Sequence, residues 1–63
     1  MDKKTFVEYL RHLGYGADME KGVPTIFVTD SDAVKKTWKE VKLLAMKKGY
    51  NHSFSVKKLE VQE

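Results

Sequence analysis

Residues 23–58, VPTIFVTDSDAVKKTWKEVKLLAMKKGYNHSFSVKK, decide the fold, because they read in succession as strand, long helix and strand. The first part, Val23–Thr29, carries Val23, Thr25, Ile26, Phe27 and Val28, β-branched or aromatic side chains that suit a pleated surface. Pro24 has no N–H to give a ladder, which puts it near the start of that strand or on its free edge. Thr29-Asp30-Ser31-Asp32 is a run of capping residues, acidic where a helix N-terminus favours negative charge. Val34, Trp38, Val41 and Ala45 then recur at i, i+4, i+7 and i+11, flanked by Thr37 and Leu44, the period of an amphipathic helix. Gly49 stops it, with Lys47 and Lys48 in the last turn. Asn51–Lys58 alternates, with His52, Phe54 and Val56 on one side and Ser53, Ser55 and Lys57 on the other. Leu59 and Val61 fall on the opposite parity, so the strand ends or bulges near Lys58.

Toward the N-terminus, Asp2 is an N-cap for a helix over residues 3–13, in which Phe6, Tyr9, Leu10 and Leu13 share a face and Gly14 ends the run. Thr5-Phe6-Val7-Glu8 also spells a capping box, which would start the helix three residues later. Gly16–Glu20 is a weaker arm in which only Ala17 and Met19 alternate with polar neighbours, and Lys21-Gly22 supplies a hairpin turn. The order is α-β-β-α-β. A strand reached through a long helix returns parallel to the strand before it, by a right-handed crossover. The expected class is therefore α+β: a two-layer α/β sandwich with a three-stranded mixed sheet and two helices on one face. In element order this is a ferredoxin-like βαββαβ arrangement lacking the first strand, a similarity of topology that licenses no function. The expected core is Phe6, Leu10, Leu13, Ile26, Val28, Val34, Trp38, Val41, Ala45, Phe54 and Val56, with Trp38 pointing inward and the lysines of the long helix left in water.

Sixty-three residues cannot build two cores, so 1–63 is read as a single domain. With no cysteine there is no disulfide scaffold, thiolate metal site or thiol redox chemistry. No apolar run approaches the roughly 20 residues that span a bilayer, and Met1-Asp2-Lys3-Lys4 opens without an apolar signal region, so a cytoplasmic domain is expected. Charged residues are 33% of the chain, yet seven aromatics and a good aliphatic count argue against disorder. Below about 70–80 residues one core rarely nets more than about 3–5 kcal/mol. A chain this short, without disulfides and with only His12 and His52 as imidazole ligands, needs either an unusually well-packed core or a second copy or another protein to complete it.

Charge is distributed unevenly. Ala33–Lys58 holds eight lysines against Glu40 alone, a local +7 in a chain of net +3. At about 100° per residue from Val34, Lys35, Lys36, Lys39, Lys42 and Lys47 fall between about 80° and 220°, an outward stripe. Such a stripe, with Lys57 on the last strand, is what binding to a phosphate backbone requires; it is also what any exposed helix face needs in water. Leu43 lies within the stripe at about 180° and Met46 at about 120°, and two apolar side chains there suggest a protein contact. If Ile26 and Val28 face the helices, Phe27 points out of the sheet beside Ser53, Ser55 and Lys57, a third contact candidate; the opposite parity would bury it. The last strand offers an edge for pairing, guarded by Lys57 and Lys58.

No residues assemble into a catalytic set. His52 and Ser53 are adjacent in the expected strand and point to opposite faces. His12 has no ligand-type residue at i+4, and Asp30 with Asp32 is far short of a calcium loop. Gly14-Tyr15-Gly16 follows a helix rather than a strand, the wrong context for a phosphate loop. The expectation is a non-enzymatic protein-interaction module, acting on another protein or as a homodimer, with no cofactor, metal, membrane or small-molecule substrate. The alternative is a nucleic-acid-binding accessory protein that meets DNA or RNA with the lysine stripe.

Overall fold

The computed structural model describes residues 1–59. Its elements are α1 (Lys3–His12), β1 (Gly16–Glu20), β2 (Val23–Val28), α2 (Ser31–Lys48) and β3 (Ser55–Lys58), the α-β-β-α-β order of an α+β fold. β2 is the central strand, antiparallel to β1 and parallel to β3. In a complete ferredoxin-like unit the strands joined by the second helix are split by another strand; here β2 and β3 pair directly.

Local chemistry accounts for each boundary. The Thr5 N–H donates to Asp2 Oδ1 at 2.7 Å, which caps α1 and holds the Asp2 carboxyl below its ordinary pKa. Asp30 caps α2 in the same way, accepting from the Asp32 N–H at 3.0 Å. The hairpin turn places Lys21 at φ 51 and Gly22 at φ 79, both positive, as a two-residue turn matched to strand twist requires. Pro24 stands opposite Met19, and pairing with β3 starts only at Thr25, so its missing N–H breaks no ladder on that side.

Both helices end on a Gly-Tyr pair, and both ends fold alike. The Gly14 N–H bonds to Arg11 O and the Tyr15 N–H to Leu10 O, each at 3.0 Å; the Gly49 N–H bonds to Met46 O at 3.4 Å and the Tyr50 N–H to Ala45 O at 2.8 Å. With Gly14 at φ 98 and Gly49 at φ 71, these are Schellman closures, which turn the following residue back onto the helix just left. Tyr50 is thereby driven into the core, where its ring stacks on Phe6 at 4.0 Å and 8° and its hydroxyl donates to Ser53 O at 2.8 Å. Burial raises the Tyr50 phenol pKa.

The core is Phe6, Val7 and Leu10 of α1, Ala17, Ile26, Val41 and Ala45 of the sheet and α2, and Tyr50. Ala17, Ile26 and Val56 lie in register across the three strands on the helix-covered face, so of the two parities left open for β2 the one with Ile26 toward the helices is found. α1 lies over β1 and β2, and α2 over β2 and β3.

Four expectations need correction. Leu13 is 47% exposed: it is the C-cap of α1, where the closure swings it off the buried face. Trp38 is 41% exposed, because α2 buries the line Thr37, Val41 and Ala45, spaced at i, i+4 and i+8, and the indole lies to one side of it. It rests instead at the rim, on Phe54 at 5.6 Å, with Lys42 Nζ 4.9 Å over its ring. Val28, Val34, Phe54 and Val56 are only half-buried, the last two packed against the core. The last strand is Ser55–Lys58 rather than 51–58, because the inward turn of Tyr50 and its bond to Ser53 occupy the residues before it, leaving His52 outside the strand. Val61 lies outside the described residues.

Candidate functional site

The 18 residues of α2 form one rigid rod whose buried line fixes what the other side shows. Lys35, Lys36, Lys39, Lys42 and Lys47 are all exposed on it, and among the described residues none of them forms an ion pair. Leu43 and Met46 stand among them at 64% and 70% exposure, the two most exposed large apolar side chains of the described chain.

Leu43 and Met46 make a ridge between two shallow hollows. One, of about 590 Å³, is lined by Tyr15, Glu40, Leu43, Leu44, Met46 and Lys47. The other, of about 340 Å³, is lined by Trp38, Lys39, Lys42, Leu43 and Met46. Tyr15, the residue after the closure of α1, walls the first, and its hydroxyl donates to Glu40 Oε2 at 3.1 Å. Burial, and then that bond to a carboxylate, raise the Tyr15 pKa. Glu40, the one acid lining these hollows among the described residues, thus already has a donor on its carboxylate. Trp38 walls the second hollow from beside the buried line of α2. The surface is apolar at its centre and basic around its edge.

The other candidates lie elsewhere. Lys57 does not join the stripe: it projects from the sheet face opposite the helices and pairs with Glu20 of β1 at 3.0 Å, reaching across β2 near Thr25. Thr25 on that face is only 1% exposed, and Phe27, between Gly16 and Lys57, is half-buried. On this face Thr25 and Phe27 are thus shielded by neighbouring side chains, beside a hollow of about 340 Å³ lined by Glu20, Val23, Thr25, Ser55 and Lys57.

The free edge of β1 is occupied as well. Arg11 Nε donates to Ala17 O at 2.7 Å and its Nη2 to Asp18 Oδ1 at 3.1 Å, while Asp18 Oδ1 accepts the Met19 N–H at 2.8 Å. An added strand would have to displace these bonds.

Among the described residues no group of three or more His, Cys, Asp or Glu is placed to hold a metal, and no helix is long and apolar enough to cross a membrane. His52 is exposed and lies edge-on to Tyr50 at 5.4 Å. Sequence reasoning picked out the stripe, Leu43 and Met46, but not Tyr15 or Trp38 as walls. The Gly14-Tyr15 and Gly49-Tyr50 pairs were the available signal, since a large apolar residue after a closing glycine folds back on its helix. No protein-family model, curated protein or solved structure matches the chain, so function is argued from this surface.

Proposed function

We propose that this chain is a non-enzymatic protein-interaction module that docks through the outward face of α2. The observation that carries the proposal is the ridge of Leu43 and Met46, 64% and 70% exposed, between two apolar hollows and beside a half-exposed Trp38. Burying such a side chain fully stabilises a complex by about 1.5–3 kcal/mol, and a central apolar cluster inside a polar rim is the usual anatomy of a contact surface.

The test uses Leu43→Asp/Met46→Asp in one chain. Both side chains are exposed, so stability should change by less than about 1 kcal/mol. Immobilised wild-type protein should retain a discrete protein from its native lysate that the double variant releases and Lys36→Glu keeps. Identical retention by wild type and double variant would refute the proposal.

One observation favours a second reading, in which DNA or RNA lies along α2: five exposed lysines without ion-pair partners among the described residues. Against it, a phosphate backbone along the stripe would rest on Leu43 and Met46, and the indole needed to stack a base is engaged by Phe54 and Lys42. Titration with short oligonucleotides at low salt, read by NMR, decides: shifts along α2 that fade with salt would support this reading.

A further inference from the structure

We infer that the outward face of α2 takes an acidic amphipathic helix of another protein, which rests on the docking reading above and names the partner's chemistry. Three features lead there.

The backbone comes first. α2 uses its N–H and C=O groups internally, so an extended segment laid on it would bury its own peptide groups without partners. A helix brings those groups already satisfied. Shape comes second. A ridge flanked by hollows of about 590 and 340 Å³ is what the side-chain rows of a crossing helix fill, with large apolar residues on either side of Leu43 and Met46.

Charge comes third and selects the occupant. Lys47 borders one hollow and Lys39 and Lys42 the other, with Lys35 and Lys36 further along the same helix. Among the described residues Glu40 is the only acid lining either hollow, and it accepts from Tyr15. A second copy docked symmetrically would present the same patch on both sides, setting Lys39, Lys42 and Lys47 against their own images. Carboxylates around an apolar stripe meet those ammonium groups instead.

The experiment titrates isotopically labelled protein with synthetic helical peptides of equal length: one with a leucine face and glutamates elsewhere, one with lysines replacing the glutamates, and one with serines replacing the leucines. The Leu/Glu peptide should move the amides of residues 38–47 and Tyr15. Its affinity should fall about tenfold in Leu43→Asp, a loss typical of a contact at the centre of an interface. A fall is also expected as salt rises from about 0.01 M to about 0.15 M, which shortens the screening length from about 30 Å to about 8 Å.

Equal binding of the lysine peptide at the same amides, or a concentration-dependent dimer through them, overturns the acidic partner and leaves the docking surface standing. Equal binding of the serine peptide, or of an oligonucleotide, overturns both in favour of a polyanion site. Silence of α2 toward all of them overturns both outright.

Discussion

Replacing Tyr50 probes the joint between the end of α2 and the core. The ring is 4% exposed, stacks on Phe6 at 4.0 Å and bonds Ser53 O at 2.8 Å, so three substitutions separate its contributions. Tyr50→Phe removes the hydroxyl alone and should cost about 0.5–1.5 kcal/mol. Tyr50→Leu keeps an apolar side chain but removes the stacked pair, a further loss of about 0.5–1.5 kcal/mol. Tyr50→Ala opens a cavity as well, and large aromatic-to-alanine changes cost about 3–5 kcal/mol. That equals the whole net stability of about 3–5 kcal/mol expected at this size, so Tyr50→Ala should be largely unfolded at room temperature. Thermal melts followed by circular dichroism measure the series, at about 4–8 °C per kcal/mol for a domain this small. A double-mutant cycle with Phe6→Leu should return a coupling of about 0.5–1.5 kcal/mol. A cooperative Tyr50→Ala melt near the wild-type temperature, or a cycle with no coupling, would show that the stack holds nothing together.

Other outcomes follow from the same geometry. Lys21 sits at φ 51, a left-handed conformation asparagine tolerates better, so Lys21→Asn should raise the melting temperature by several degrees, for a gain of up to about 1 kcal/mol. A drop instead would mean the turn is not of this type. Gly49→Ala, at φ 71, should lower it by a similar or larger amount, about 1–2 kcal/mol; an unchanged melt would contradict the closure of α2. Arg11→Ala should cost little stability, since its ion pair is exposed, but should free the β1 edge and increase concentration-dependent association in sedimentation runs. In alkali, burial raises the Tyr15 and Tyr50 pKa values above 10.0, so the unfolded chain loses these protons first. Stability is therefore intact below about pH 10 and declines as pH rises through the folded values. Urea midpoints that stay level from about pH 9 to about pH 11 would refute this.

Chain-local physics determined most of the architecture. The caps at Asp2 and Asp30, the stops at Gly14 and Gly49 and the Lys21-Gly22 turn all depend on residues within a few positions of one another, and each stands where the sequence places it. Which face of Val23–Val28 meets the helices was not legible there, because VPTIFV does not alternate; pairing with Ala17 and Val56 puts Ile26 on the helix side. The lysine stripe with Leu43 and Met46 was legible, as helical periodicity alone sets it on the outward side.

Only the tertiary structure decided how deeply each apolar residue is buried. A helix period distinguishes Val41 from Leu43, but it cannot say whether the gap beside Val41 admits an indole. α2 buries Thr37, Val41 and Ala45, Trp38 is left at the rim, and Tyr50 takes the place against Phe6. Lys57 belongs to the same class of result: its charge is plain in the sequence, but its pairing with Glu20 across β2 depends on strands 37 residues apart coming into register. Periodicity measures direction around one element. Distance to the next is set by the side chains of both.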